Sequence, residues 1–224
     1  MQSHKVRAGD IETISTSPLH PTWIAPFNTC IHQDEETATT YDKANMVSVK
    51  ISADGSSIDG GVGAAAVLFI NNTARQSFQH YLGSEKHNTV YEAELVGLIL
   101  AAALLQQLEF LEDVSIAIDN QVAIKAMTNH CSAPGQQQTD FFLNQMTEIA
   151  RRHQGVLIKI PWIPGHKGSL GNKEADKLAK QAALQQGSTS PIIPSILRLS
   201  LPHSKTACKT NFYKRIKEDA RNNF

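Results

Sequence analysis

The 224-residue chain is 41% hydrophobic and carries 21 basic against 21 acidic side chains. That is apolar content for one good-sized core, without the overall positive field of a tight non-specific nucleic-acid binder. Cys30, Cys131 and Cys208 are far apart and in no Cys-x-x-Cys spacing, which excludes a disulfide framework or a zinc site and reads as reduced intracellular thiols. The first residues hold no apolar signal core, and the longest apolar run, 96–105, is well short of the ~20 residues of a membrane span. A soluble intracellular protein, cytoplasmic or nuclear, with no membrane partner is expected.

Residues 1–45 are polar and broken by proline, so they read as an irregular lead-in, with Trp23, Ile24 and Phe27 available to dock elsewhere. From 46 the run "MVSVKISAD" alternates with period two and is followed by "GVGAAAVLFI" and the weaker "ARQSFQHYL". These predict three strands in a meander, turned at Gly60, Gly61 and Asn71-Asn72. Residues 89–108 are rich in Ala and Leu and apolar round most of a helical circumference, as suits a helix buried on a sheet. Thr89 and Glu92 have the spacing of a capping box that fixes its start. Strand "VSIAID" (114–119), a short helix at 120–128, a longer one near 136–153, strand "VLIKIPWI" (156–163) and a helix from 172 follow. Strands alternating with helices imply a parallel extension of the meander. The division expected is a lead-in at 1–45, one domain at 46–187, and a linker with a basic helix at 188–224.

In this order Asp54 ends the first strand, Glu94 lies in the first turns of the long helix, Asp119 ends "SIAID", and Asp176 lies in the first turns of the last domain helix. Four acids converge on one end of a sheet, where open α/β sheets form their ligand crevice. Carboxylates crowded together repel, so a cation is implied. Mg²⁺ takes a few carboxylates and keeps several waters, and two such ions ~4 Å apart suit in-line phosphodiester hydrolysis. Singly, each residue has a plainer reading: Asp54 as a turn residue, Asp176 as a favourable charge at a helix N-terminus, His166 as a solvated loop histidine. Asp119 is flanked by apolar runs where an unpaired acid is costly, and Glu94 has no capping role to explain it.

The segments "ADGS" (53–56), "AEL" (93–95), "IDNQVAIKA" (118–126) and "WIPGHKGSLGNKEADKLAK" (162–180) together resemble the motifs of ribonuclease H domains, particularly those of fungal LINE-type retrotransposon reverse transcriptases. The resemblance spans roughly 46–185. It implies an α/β ribonuclease H-like fold with a five-stranded mixed sheet, three antiparallel strands plus two parallel, flanked by helices. It further implies hydrolysis of the RNA strand of RNA–DNA hybrids with two Mg²⁺ or Mn²⁺. Position by position, Asp54, Glu94, Asp119 and Asp176 match the metal-binding acids, and His166 the loop histidine that assists proton transfer or product release. Thr89 and Asn172 match positions that touch a DNA-strand phosphate in several relatives, and both lie at predicted helix starts that favour phosphate anyway. Gly55 and Ser56 are placed to contact the RNA strand.

Two departures stand out. Ala53 replaces the Thr common before the first acid, and no basic helix-and-loop insertion follows Asp119. The expected partners are an RNA–DNA hybrid and a reverse transcriptase within a larger polyprotein, the domain itself being a monomer. The alternatives are a non-catalytic retroelement remnant kept as an interaction module, and an exonuclease or transposase on a similar sheet. The basic excess sits at the C-terminus, with 7 basic against 2 acidic residues in 188–224. A helix there predicts either a solvated amphipathic element resting on the domain or a neighbour, or a supplier of phosphate contacts.

Overall fold

The computed structural model describes residues 7–14, 23–128, 133–165, 169–186 and 192–222. Among them, strands β1 (Asn28–Cys30), β2 (Val49–Ile58), β3 (Gly61–Ile70), β4 (Thr73–Ser84), β5 (Val114–Ala117) and β6 (Ile158–Pro161) form one sheet in the order β1-β6-β5-β2-β3-β4. Helices α1 (Glu35–Ala44), α2 (Val90–Leu105), α3 (Gln121–Thr128), α4 (Gln136–Arg152), α5 (Leu170–Ala183) and α6 (Lys205–Asn222) accompany it. The meander β2-β3-β4 is antiparallel and β5, β6 and β1 add to it in parallel. Both hairpins turn through two residues with positive φ, Asp59-Gly60 and Asn71-Asn72. That geometry matches the right-handed twist of the strands it joins.

Helix α2 starts where its capping box dictates: the Thr89 side chain accepts from the Glu92 N–H while the Glu92 carboxylate accepts from the Thr89 N–H. From Glu92 to Leu105 every residue is buried, because α2 lies between the sheet and α4, with Leu95, Leu98, Ile99 and Leu104 in the main core. Helix α5 covers the other face of β2 and β3. It begins at Leu170, ahead of the predicted start at 172, with Ser169 as its cap, the hydroxyl accepting from the Asn172 N–H.

Two expectations are corrected. The sheet has six strands rather than five, and the lead-in is not irregular throughout, since it holds β1 and α1. A three-residue strand is too short to show period two, and β1 owes its conformation to pairing with β6. Helix α1 was hidden by its polarity, although Asp34 caps it by accepting from the Thr37 N–H. Phe27 does dock, packing on Phe142 with ring centroids 5.9 Å apart, while Ile24 stays exposed. The linker before α6 likewise buries Leu197 and Leu201.

The two ends of the chain are also fastened together. Glu12 accepts from the Gly135 N–H through one carboxylate oxygen and from the Lys205 N–H through the other, both at 2.9 Å. His203 exchanges backbone hydrogen bonds with Asp10 and Glu12, and its ring stacks on His87.

Candidate active site

Side chains alternate along β2, so Ile51, Ala53 and Gly55 face α2 while Ser52, Asp54 and Ser56 face the opposite way. The parallel partner β5 stops at Ala117, level with Ser52, whereas β3 stays paired with β2 to Ile58. Asp54 therefore sits in mid-strand, not at a strand end as expected, and emerges where its neighbour on one side has run out. Asp119 lies two residues past Ala117, on the continuation of that neighbour.

Glu94 is brought to them by close backbone packing. A Cβ added at Gly55 would lie 2.5 Å from the Glu94 backbone nitrogen and 2.7 Å from the Ala93 carbonyl carbon; one at Gly97 would lie 3.2 Å from the Asp54 backbone carbonyl oxygen. Glycine at both positions lets α2 press its first turns directly on β2. Ala53 faces the same seam, so a larger residue there would crowd Gly97 without reaching the acids.

Asp54, Glu94 and Asp119 each offer a carboxylate oxygen within 4.8 Å of the other two. Asp54 and Glu94 are buried, at 5% and 4% exposure, and Asp119 is half-buried. Burial, then the charges of Asp119 and Asp176, push the Asp54 carboxyl up to about 8. Burial and the charges of Asp54 and Asp119 hold Glu94 well above the usual carboxylate range. The Gly55 backbone and the Asn120 side chain draw the Glu94 carboxyl back down in part, yet its Oε2 is buried without a partner. Oxygen donors only, like-charged, crowded and one of them orphaned, are the donor set that a hard divalent cation satisfies.

Asp176 stands apart from this trio. It lies on α5, a third exposed, and pairs with Lys180 at 2.8 Å; it is still near enough for its charge to act on Asp54. The loop into α5 passes against Asp119, since a Cβ on Gly165 would lie 2.8 Å from Asp119 Oδ2. His166 lies outside the described residues. Thr89 spends its N–H and its hydroxyl on Glu92. Ser56 is almost buried, and Asn172 is buried with Oδ1 unpartnered.

Two residues join the site that the sequence reading passed over. Asn120 accepts from the Val122 and Ala123 N–H groups, capping α3, and so fixes the side chain that supports Glu94. An Asn before a helical run was a readable cap, but its second contact was not. Lys180 was legible as the i,i+4 partner of Asp176.

A family model described as RNase H matches residues 46–184. The "Ribonuclease H" of Nitrosomonas eutropha is 28% identical over 158 residues, 62% of this chain and 91% of that protein. That of Trichodesmium erythraeum is 24% identical over 134 residues, 55% of this chain and 80% of its own length. The crystal structure of RNase H1 from Halobacterium salinarum aligns with 61% of this chain and 98% of its own, at 20% identity and a TM-score of 0.48.

Proposed function

The chain belongs to the RNase H family, and from that premise we propose that it is a metal-dependent endonuclease hydrolysing the RNA strand of RNA–DNA hybrids. The observation that carries this reading is the buried trio Asp54, Glu94 and Asp119 with Glu94 Oε2 unpartnered. Asp54, Glu94 and Asp119 would hold one divalent cation, with Asp54 and Asp176 available to a second; Mg²⁺ and Mn²⁺ both suit such oxygens. Bound there, the cations supply Lewis acidity and an activated water for in-line displacement at the phosphodiester.

The chain's own residues do the rest. Gly55 and Gly97 hold α2 against β2 so that Glu94 stays beside Asp54. Asn120 orients Glu94, and Lys180 offsets the charge of Asp176 until substrate arrives. His166, one residue past the loop position that touches Asp119, takes the proton-transfer role. Ser56, at the far end of the Asp54 face, would meet the RNA ribose, and Asn172, at the start of α5, would meet a DNA-strand phosphate through its Nδ2 donor. Recognition of this kind reads minor-groove shape and 2′-hydroxyls rather than sequence. The motif spellings that resemble fungal LINE-type domains support a setting in which a reverse transcriptase delivers the hybrid.

The test is cleavage of labelled RNA–DNA hybrid beside single-stranded RNA, duplex RNA and duplex DNA, with Mg²⁺, with Mn²⁺ and with chelator. Internal cuts confined to the RNA of the hybrid, and abolished by chelator, are expected. No cutting with either cation would leave the chain an interaction module on this fold.

A further inference from the structure

Helix α6 concentrates positive charge as no other part of the chain does: Lys205, Lys209, Lys214, Arg215, Lys217 and Arg221 stand against Glu218 and Asp219. Because the whole chain has a formal net charge of zero, this net +4 leaves −4 on the remainder. Lys205, Lys209, Tyr213, Lys217 and Arg221 recur every fourth residue and form one ridge. Ala207, Cys208 and Asn211 lie on the opposite side and meet the body. Ala207 is buried, and the Asn211 amide donates to the Lys86 carbonyl at 2.7 Å. From Phe212 to Arg221 every side chain is exposed, Phe212 and Ile216 by 61% and 48%. The helix therefore does not lie on the domain to bury an apolar stripe. It projects from it.

Its root is firmly fixed. The Ser204 hydroxyl accepts from the Ala207 N–H, Glu12 accepts from the Lys205 N–H, and Lys86 is held as above. Lys86 precedes Thr89, the cap of α2, by three residues, so α6 springs from the end of α2 that carries Glu94 into the site. A body with net negative charge and a cluster of acids repels a phosphate-dense substrate, and an arm of opposite sign rooted beside that cluster is electrostatically matched to it.

We propose that α6 is an arm that grips the phosphate backbone of the hybrid duplex beside the catalytic centre, an inference that rests on the ribonuclease reading above. Eighteen helical residues span about 27 Å at 1.5 Å each, the length of about eight phosphates along one strand. The arm thus engages duplex that extends beyond the cut. A protein partner is the poorer match, because Phe212 and Ile216 are flanked by charge that such an interface would have to desolvate.

The experiment uses the full chain carrying Lys209→Gln, Lys217→Gln and Arg221→Gln together, substitutions that keep helix propensity and whose helicity circular dichroism checks. Binding to a hybrid of about 8 bp and one of about 24 bp is followed by fluorescence anisotropy in chelator over a salt series. On the long hybrid the log–log salt slope is expected to fall by about 2 to 3, at roughly 0.9 per lost contact for B-form charge density. On the short one it should barely move. Equal slopes and affinities for variant and parent would overturn the arm. So would Phe212→Ser with Ile216→Ser dissociating a dimer of the parent while hybrid binding persists, which would make α6 a protein-docking helix. Cleavage by the unaltered chain is assayed in parallel: absence of cutting removes the ribonuclease reading, whereas cutting with unchanged slopes removes only the arm.

Discussion

Helices α2 and α5 cover the two faces of β2, and each brings an acid toward Asp54 by an opposite physical strategy. On the α2 side the backbone is pressed onto Gly55, Glu94 is almost wholly buried, and among the described residues no basic side chain answers its charge. On the α5 side Asp176 remains a third exposed and is already paired with Lys180. One half of the site is rigid and electrostatically frustrated, so it demands a cation; the other is solvated and neutralised, so it can adjust to one. The difference teaches which half sets the position of the chemistry.

The strongest way to break that contrast is to remove a crowded carboxylate. Asp54→Asn or Asp119→Asn is expected to bring hybrid cleavage below detection while raising the melting temperature in chelator, because like charge leaves a dry site. Asp176→Asn should leave the melting temperature nearly unmoved. A well-folded Asp119→Asn protein with full turnover would refute the cation site. Next in size is His166→Ala, for which loss of a proton-transfer group predicts a rate ~10²–10⁴-fold lower in single-turnover assays. An unchanged rate would make it an ordinary loop histidine.

Gly55→Ala tests the rigid half directly. Its new methyl meets α2 backbone, so a stability loss of about 1–3 kcal/mol and slower cleavage are expected from denaturant titration and kinetics. Gly9→Ala, whose Cβ would meet nothing within 4 Å, serves as the neutral control. Equal effects would mean that the β2–α2 seam is not tight.

The remaining effect is one of pH. Asp54 rises from 3.8 to about 8 in the folded chain and returns toward 3.8 on unfolding, so the folded state binds more protons in between. Stability linked to this group is whole below about pH 4 and is lost as pH rises through about 8. In chelator the melting temperature should therefore be lower at pH 8 than at pH 5, and divalent cation should remove most of that slope. Asp54→Asn should lessen it without cation, the raised Glu94 carboxyl keeping a slope of the same sign. A steeper slope in Asp54→Asn would assign the titration to another group.

Much of this was readable from local pattern. The alternation in 47–54, the Thr89–Glu92 box and the apolar circumference of α2 each specify an element by themselves, and these place Asp54 and Glu94 on neighbouring elements. What was not readable is tertiary. The mid-strand position of Asp54 depends on where β5 stops, which periodicity in β2 does not report. The second contact of Asn120 needs α3 and α2 brought together. Helix α1 shows the opposite case: Asp34, Thr37 and the acidic first turn were all visible, but a helix with little apolar patterning looks like solvated chain.

Strand β1 has a consequence for how the chain survives outside its fold. It hydrogen-bonds along β6, and the Trp162 N–H donates to the Cys30 carbonyl at 2.8 Å. Without those three residues the parallel edge of the sheet would present bare amide and carbonyl groups from Lys159 to Trp162, next to the apolar gap left by Phe27 on Phe142. Exposed edges of this kind recruit other chains, and natural sheets cover or shorten them. A fragment trimmed to the family match at 46–184 would keep all four acids and lose this cover, so its first failure would be sticking to copies of itself rather than losing the carboxylate cluster.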